Sequence, residues 1–383
     1  MTIPTRPRIL FVGAFPPPGT DIFGGMVSSC RALMQSSFPT RAEVIPVDTT
    51  QIAHPPPSLA KRLLLAARRA VEYVVKLERE RPDAVILFTA AGASVLEKGV
   101  LAWYARLRGV PALLFPRGGP VMDACERSRV SRTWIRWAMK GAHVVVCQGP
   151  VWQDFVVDLL GIDRRDAPVI PNWTATTSLL DIGAARRPRL GPPRLLFVGW
   201  LDREKGVTEL LDACGELAAS HDFELIFVGE GNMSDPARRF AADRGLEDRI
   251  RFRGWLRGDA LDREYAEADI FVLPSWSEGL PNAMIEAMAA GMAVVVSAVG
   301  NVPSAIDDGV NGVMVRPGDV PSLRNALTGL LVDPGERERL GANAHRTARD
   351  RFGVEAAVDR ILAAVAAAPL AGRHPSLSNG AGS

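Results

Sequence analysis

Short apolar runs rich in Val, Ile, Leu and Phe alternate along the chain with longer amphipathic segments. Strands that are buried on both faces of a parallel sheet read as continuous apolar runs, whereas the connecting helices show a period of 3.6 residues. The alternation therefore predicts β-α-β units and an α/β fold with parallel sheets. The predicted strands are 8–13, 43–47, 84–89, 111–115, 143–147 and 169–171 in the first half, and 194–199, 224–229, 249–253, 270–274, 293–297 and 312–316 in the second half.

The two halves of the chain begin alike, with R-I-L-F-V-G from Arg8 and R-L-L-F-V-G from Arg194. A chain of 383 residues exceeds the size of one hydrophobic core. We therefore predict two doubly wound domains, 1–172 and 194–353. The polar segment 173–193 shows neither period and is the predicted linker. A helix over 354–368 is expected to pack back on the first domain, and the Gly- and Ser-rich tail 371–383 is expected to be disordered.

Composition narrows the class of protein. The chain is 47% hydrophobic and 23% charged, as is typical of globular domains. Its four cysteines are far apart in the sequence, which disfavours a zinc site or a disulfide framework and suits a reducing cytosol. No apolar run reaches the roughly 18 residues that span a bilayer. A cytoplasmic protein is therefore expected.

One segment combines turn, helix and acidic residues in a pattern that favours ligand binding. It begins at Ser275 and reads S-W-S-E-G-L-P-N-A-M-I-E-A-M-A-A-G directly after a predicted strand. Gly279 permits a turn, Pro281 suits the first position of a helix, and Gly291 suits its end. The pattern predicts a helix over 282–290 whose N-terminus lies at the carboxyl end of a strand.

The N-terminus of this helix is a predicted diphosphate site. The amides of Leu280, Asn282 and Ala283 would point toward a bound anion, which gains about 0.3 to 1 kcal/mol there and up to ~2 kcal/mol when partly buried. Glu278 precedes the helix and Glu286 lies within it. The two carboxylates would flank the anion and accept hydrogen bonds from hydroxyl groups.

With this E-x7-E arrangement the chain resembles glycosyltransferase family 4, whose members have the GT-B fold of two Rossmann-like domains facing a central cleft. The resemblance also covers F-V-G-W-L-D-R-E-K-G at 197–206, V-G-E-G at 228–231, I-P-N at 170–172 and F-G-G-M at 23–26. It implies a retaining transferase that moves a sugar from a nucleoside diphosphate, UDP or GDP, to a hydroxyl of a glycan or lipid-linked acceptor.

The resemblance also implies roles for individual residues. Glu278 would bind hydroxyls of the donor sugar, Glu286 the ribose, and Lys205 the diphosphate. Gly24 and Gly25 would approach the transferred sugar or the acceptor. The remaining residues expected at the donor are Gly199, Trp200, Gly229, Gly231, Trp255 and the turn from Gly279 to Pro281.

Two positions depart from the family pattern. Trp200 stands where many members have a second diphosphate-binding Arg, and Arg117 stands where many have a His near the anomeric carbon. A guanidinium is no base near pH 7, so Arg117 would act electrostatically on the diphosphate or on an anionic acceptor. No D-x-D motif occurs and the five histidines are scattered. We therefore expect neither a catalytic metal nor a cofactor.

Charge is distributed unevenly, with a net charge of +8 in residues 1–172 and −6 in 173–383. Two amphipathic helices of the first half carry much of the positive charge. We expect their apolar stripes to be packed and their basic faces to be solvated or to rest on an anionic membrane. In 59–81 the stripe is Leu64, Ala67, Val71, Val74 and Val75, opposite Lys61, Arg62, Arg68, Arg69, Lys76 and Arg79. In the second helix Val130, Trp134 and Trp137 lie opposite Arg129, Arg132, Arg136 and Lys140.

Other functions stay open. A non-catalytic nucleotide-sugar-binding subunit and a GT-B sugar-nucleotide epimerase would share the fold. A nicotinamide oxidoreductase is disfavoured because neither first β-α turn contains G-x-G-x-x-G. Nucleic acid is disfavoured because the second half is acidic. Arginine outnumbers lysine 40 to 5, which is typical of GC-rich bacteria and favours a role in cell-surface polysaccharide or glycolipid synthesis at the inner face of the membrane.

Overall fold

The computed structural model describes residues 6–16, 24–50, 58–90, 92–117 and 120–368. The predicted tail 371–383, and Phe23 of the predicted F-G-G-M segment, lie outside these residues. The described chain forms two parallel sheets covered by helices. No helix in the described ranges is both long and apolar enough to cross a membrane.

The first sheet has five parallel strands in the order β2-β1-β3-β4-β5. Their bounds are β1 (Arg8–Gly13), β2 (Glu43–Asp48), β3 (Ala84–Thr89), β4 (Ala112–Pro116) and β5 (Val144–Val145). The helices of this half are α1 (Gly25–Gln35), α2 (Phe38–Arg41), α3 (Leu59–Glu80), α4 (Ala93–Leu107), α5 (Pro120–Arg127), α6 (Arg129–Met139) and α7 (Pro150–Leu160).

The second sheet has six parallel strands in the order β11-β10-β9-β6-β7-β8. These are β6 (Arg194–Val198), β7 (Glu224–Val228), β8 (Ile250–Phe252), β9 (Ile270–Leu273), β10 (Ala293–Ser297) and β11 (Val313–Val315). The helices are α8 (Thr177–Ala185), α9 (Val207–Leu217), α10 (Ser234–Asp243), α11 (Asp259–Glu267), α12 (Asn282–Ala289), α13 (Val302–Ala305), α14 (Val320–Val332), α15 (Pro334–Phe352) and α16 (Val354–Ala367).

Strand order determines where a ligand can bind. The order reverses between β1 and β3 in the first sheet and between β6 and β9 in the second. Ligands of open parallel sheets bind outside the carboxyl ends of the strands at such a reversal. Gly13 and Gly199, which end the two repeated R-x-L-F-V-G runs, lie at these points.

Helices cover both faces of the first sheet. One face packs against α3, α4, α6 and α7, and the other against α1 and α16. Val358 and Ile361 of α16 are fully buried in the second of these clusters, together with Ile9 and Phe11 of β1. The C-terminal helix therefore packs against the first sheet, although it follows the second sheet in the chain.

The predicted linker 173–193 contains the helix α8, which the sequence pattern did not predict. Thr176 caps α8, and its hydroxyl accepts a hydrogen bond from the amide of Leu179. Leu179 is buried in the second core. A single short helix between polar and Pro-rich stretches is too brief to produce a visible period, which explains the error.

Two strand predictions were also wrong in extent. The run 143–147 forms only the short strand β5, and the run 169–171 contributes only an isolated parallel bridge from Val169 to Cys147. The expectation that the apolar stripes of the two basic amphipathic helices, α3 and α6, would be packed was also wrong. Val71 is 64% exposed and Trp134 is 55% exposed, although both belong to stripes that were expected to pack.

Candidate functional site

A half-open pocket lies where the carboxyl edges of the two sheets meet, and the space between its walls, including the part open to solvent, is about 880 Å³. Helix α1 forms one wall, and the strand ends of the second sheet with the N-terminus of α12 form the other. The lining residues central to the argument are Gly25, Arg31, Lys205, Glu278, Asn282 and Glu286.

An ion pair joins the two predicted phosphate- and sugar-binding residues. Nζ of Lys205 lies 2.6 Å from Oε1 of Glu278, and the hydroxyl of Ser275 donates to the same oxygen at 2.8 Å. Lys205 lies at the end of a short 3-10 turn after β6, and Gly206, in the left-handed region at φ 73°, ends that turn. A side chain at Gly206 would meet the Pro274 carbonyl, so glycine is required for this close approach.

Glu286 lies deeper in the pocket, on the first turns of α12. The hydroxyl of Tyr265 donates to its Oε2 at 2.8 Å. The pKa of Glu286 is raised to about 7, because burial and the nearby Asp262 raise it by more than the hydrogen bonds from Tyr265 and Thr174 and the positive charge of Arg31 lower it. The carboxyl is therefore close to half ionised at neutral pH.

The N-terminus of α12 is open toward the pocket. The helix begins at Asn282, and Pro281 precedes it as the N-cap, so the prediction of Pro281 at the first helical position was wrong by one residue. The amides of Asn282 and Ala283 have no carbonyl partner within the helix, because the first intrahelical bond is donated by Ile285. This end of the helix can therefore accept an anion.

Most of the predicted donor-site residues line the pocket. Gly24 and Gly25 lie on the α1 side, and Gly199, Trp200 and Trp255 lie on the other side with Ala283. The rings of Trp200 and Trp255 meet edge to face, with centroids 4.8 Å apart. The two tryptophans therefore form an aromatic wall at one end of the pocket.

Four predicted residues lie behind the lining. A side chain at Gly229 would meet the Gly199 carbonyl, and one at Gly231 would meet the Leu201 carbonyl, so these glycines allow loops of the second sheet to approach each other. The carbonyl of Gly279 accepts from the Asn301 amide at 2.7 Å, and Leu280 is buried. All four shape the loops that carry the lining residues.

Arg117 lies behind α1 rather than among the pocket-lining residues. Its Nη2 donates to the Ser29 hydroxyl at 2.6 Å, and its guanidinium lies 4.4 Å from the Trp173 ring centroid and 5.2 Å from that of Phe88. Burial lowers the pKa of Arg117 to about 10. The side chain therefore stays positive at neutral pH, and its hydrogen bond to Ser29 fixes the position of α1.

Arg31 lines the pocket and was missed by the sequence reasoning. It lies on α1 seven residues after Gly24, and its charge acts on Glu286 across the cleft. Residues 24, 28 and 31 lie on one face at helical spacing, so the spacing of Arg31 from the predicted site residue Gly24 was the signal that could have identified Arg31. The pocket thus receives positive charge from both of its walls.

Metal ligands are not grouped at this site or elsewhere in the part of the chain that the structure describes. Among the described residues, no three His, Cys, Asp or Glu side chains lie close enough together to hold an ion. Independence of metal stays a prediction.

Comparison with protein families assigns both halves of the chain to transferases. Residues 183–347 match the family model described as "Glycosyl transferases group 1". Residues 26–173 match the one described as "Glycosyl transferase 4-like domain". Residues 174–182, within the predicted linker, separate the two matches.

Curated relatives agree with this assignment. The chain is 30% identical over 231 residues to the lipopolysaccharide core biosynthesis glycosyltransferase LpsE of Rhizobium meliloti, a match that covers 60% of this chain and 66% of LpsE. It is 32% identical over 221 residues to the glycogen synthase of Mycobacterium tuberculosis, covering 56% of this chain and 51% of the synthase. The chain thus matches only part of the length of these relatives.

Solved structures share the architecture over most of the chain. A sucrose-phosphate synthase from Thermosynechococcus elongatus matches with a TM-score of 0.73 at 21% identity, covering 94% of this chain and 98% of that one. The Anabaena protein HepE, solved with UDP and glucose, matches with a TM-score of 0.69 at 21% identity, covering 94% and 100%. The predicted arrangement of two Rossmann-like domains facing a central cleft is confirmed.

Proposed function

Because this chain belongs to the GT-B glycosyltransferases of the family 4 type, we propose that it transfers a hexose from a nucleoside-diphosphate sugar to an acceptor hydroxyl with retention at the anomeric carbon. One observation carries the proposal. Lys205 and Glu278 are paired at 2.6 Å beside the open N-terminus of α12, in the same pocket as Glu286.

Each part of the donor has a matching group in the pocket. When the donor binds, Lys205 leaves its ion pair with Glu278 and pairs with the diphosphate instead. The diphosphate also accepts hydrogen bonds from the Asn282 and Ala283 amides. Glu278, released from Lys205, accepts hydrogen bonds from sugar hydroxyls. Glu286 accepts hydrogen bonds from the ribose. Of the proteins with similar folds, HepE was solved with UDP, so UDP is the first nucleotide to test and GDP the second.

The chemical step is the exchange of one bond at the anomeric carbon for another. The bond from that carbon to the diphosphate oxygen breaks, the acceptor oxygen forms a bond on the same face of the sugar, and the departing phosphate oxygen takes the acceptor proton. Lys205 and the helix amides stabilise the negative charge that develops on the diphosphate. The step needs no metal and no protein base.

The acceptor is proposed to be a glycan or a lipid-linked glycan of the bacterial cell surface, with the enzyme acting in the cytoplasm. The similarity to LpsE, a lipopolysaccharide core glycosyltransferase, supports this choice. The match covers only 66% of LpsE, so the acceptor of LpsE is not carried over to this chain and the acceptor class stays a proposal.

A thermal-shift screen with UDP, GDP, ADP and their common sugar derivatives in the presence of EDTA tests the donor site. Lys205→Ala is the site variant, and Arg203→Ala, an exposed residue on the same short turn, is the matched control. We expect one nucleotide to stabilise the wild-type and control proteins and to stabilise Lys205→Ala less.

Turnover then separates the candidate functions. Release of nucleotide with the transferred or hydrolysed sugar in its original anomeric configuration by NMR supports a retaining transferase. Inversion at a ring carbon of an intact sugar nucleotide would identify an epimerase. Binding with no turnover of any donor, with extracts of bacterial envelope as the acceptor source, would identify a non-catalytic subunit.

A further inference from the structure

Exposed apolar side chains are concentrated on three helices of the first half. Among the described residues fifteen large apolar side chains are exposed, and ten of them belong to α3, α4 and α6. Single exposed apolar residues are normal, whereas a concentration on one side marks an interaction surface. The ten are Leu63, Leu64, Val71, Val75, Leu96, Val100, Leu107, Val130, Trp134 and Trp137.

The three helices form one continuous side of the molecule. Arg69 of α3 pairs with Glu97 of α4 at 2.9 Å. The indole nitrogen of Trp103 in α4 donates to the Trp137 carbonyl in α6 at 3.0 Å, and the two rings stack. The order across the surface is therefore α3, α4, α6, and we call the solvent side of these helices the outer face.

The core does not need the apolar residues of the outer face. Tyr73 of α3, Leu101 of α4 and Ile135 of α6 fill the core beneath these helices. Trp134 and Val130 lie on the other side of α6, where they are 55% and 67% exposed. Trp134 has an edge-to-face contact with Trp137, but folding of the first domain leaves more than half of the surface of Trp134 and of Val130 exposed to water.

Positive charge is interleaved with the apolar residues on the same face. In α3 the exposed residues Leu64, Arg68, Val71, Val75 and Arg79 recur at helical spacing. The charges of an ordinary surface helix lie opposite its apolar residues, so this mixture on one exposed face suits a partner that is both apolar and anionic.

Helix α6 has the same character. From Ser128 to Lys140 it contains no acidic residue, and Arg129, Arg136 and Lys140 are exposed beside Trp134 and Trp137. Tryptophan side chains concentrate at the boundary between water and lipid, and arginine and lysine near that boundary attract anionic head groups.

We propose that the outer face docks the protein onto an anionic lipid bilayer, with Trp134 and Val130 inserted among the acyl chains and the basic residues on the head groups. Docking itself does not depend on the proposed transferase function. If both hold, docking keeps the pocket at the same membrane that carries a lipid-linked acceptor.

Co-flotation of the full chain with vesicles tests the surface. The vesicles are phosphatidylcholine alone or phosphatidylcholine with phosphatidylglycerol. The charge variant is Arg129→Gln/Arg136→Gln/Lys140→Gln, and the apolar variant is Val130→Ser/Trp134→Ser. The matched controls on the second half are Arg187→Gln/Arg239→Gln/Arg346→Gln and Leu190→Ser/Val332→Ser, all at exposed positions.

We expect the wild-type protein to bind only the anionic vesicles and to be released by high salt. Removal of three basic residues is expected to weaken partitioning on the order of a hundredfold, because each contributes about fivefold near the surface. The apolar variant is expected to lose most binding, and both controls to bind like the wild type. Thermal unfolding of every variant checks that it is folded.

Three results would overturn the proposal. They are absence of binding to anionic vesicles at low salt, equal binding to neutral vesicles, and equal losses in the variants and their controls. Sedimentation of the free protein adds a further check. A self-association that the apolar variant abolishes, without vesicle binding, would assign the outer face to a second copy of the chain instead. Nucleotide binding and turnover are measured separately in detergent-free buffer, so failure of docking leaves the transferase proposal standing.

Discussion

The side-chain amide of Asn282 donates a hydrogen bond of 2.6 Å to the carbonyl of Gly25 and so joins the first turns of α12 and α1. It also donates to the Ser29 hydroxyl at 3.0 Å, and its Oδ1 accepts from Asn172 at 2.7 Å. Helix α1 covers the first sheet, whereas α12 covers the second. A single side chain therefore fixes the N-termini of two helices from different halves against one pocket.

We expect Asn282→Ala to lower kcat about ten- to a hundredfold, because a misplacement of about 1 Å at the reacting groups has an effect of this size. The KM for the donor should change less, since Lys205 and Glu286 keep their positions on the second half. Steady-state kinetics against Asn325→Ala, an exposed control on α14, measure the effect. An unchanged kcat would show that the contact is dispensable.

The ion pair between Lys205 and Glu278 leads to a second prediction. Lys205→Ala should lower kcat about a hundredfold, the usual cost of removing one group that stabilises charge in the transition state. Arg203→Ala should leave kcat unchanged. Loss of donor affinity with an unaltered kcat would mean that Lys205 contributes to binding alone.

The strands, and the position of Glu278 and Glu286 at one pocket, were predictable from the sequence for a physical reason. Strands buried on both faces must be apolar throughout, as β1 and β9 are, so they are visible without knowledge of their neighbours. Glu278 and Glu286 were identified because a turn, a helix start and an acidic spacing lie within one short segment. Local information was sufficient in both cases.

Relationships between distant segments were not predictable in the same way. Arg117 and Ser29 are 88 residues apart, and Asn282 and Gly25 are 257 residues apart. Which face of α3 or α6 packs was misjudged, because the buried residues Tyr73 and Ile135 give no stronger local signal than the exposed Val71 and Trp134. Which face of a helix is buried depends on the elements that pack against it, and the tertiary fold determines which elements those are.

Arg117 offers a test of whether a residue positions α1 or contacts substrate. Its guanidinium bonds Ser29 and lies against the rings of Trp173 and Phe88, contacts that the ammonium of lysine cannot reproduce together. We expect Arg117→Lys to lower both the melting temperature and kcat, with the KM for the donor nearly unchanged. Thermal unfolding and steady-state kinetics check this. A loss of kcat at full stability would indicate direct contact with substrate instead.

The raised pKa of Glu286 predicts two opposite pH dependences. The proposed hydrogen bonds from ribose hydroxyls to Glu286 are stronger when its carboxyl is ionised, so donor affinity should rise with pH through about 7 and then level off. Stability should change in the other direction. Because the folded protein holds a proton that the unfolded chain releases near pH 4.5, stability falls as pH rises from about 4.5 to about 7. Glu286→Gln should remove both dependences, so its stability relative to the wild type should be roughly 3 kcal/mol more favourable at pH 8 than at pH 4. Glu338→Gln, exposed on α15, is the control.

Arg31 connects this titration to the opposite wall of the pocket. Its positive charge lowers the pKa of Glu286, so Arg31→Gln should move the midpoint of donor affinity to higher pH, and Arg31→Lys should restore it. Isothermal titration calorimetry with UDP, or with GDP if the thermal-shift screen selects it, locates the midpoint for each protein. The midpoint belongs to Glu286 only if it disappears in Glu286→Gln and moves in Arg31→Gln. An equal loss of affinity at every pH in Arg31→Gln would assign the arginine to direct contact with the nucleotide.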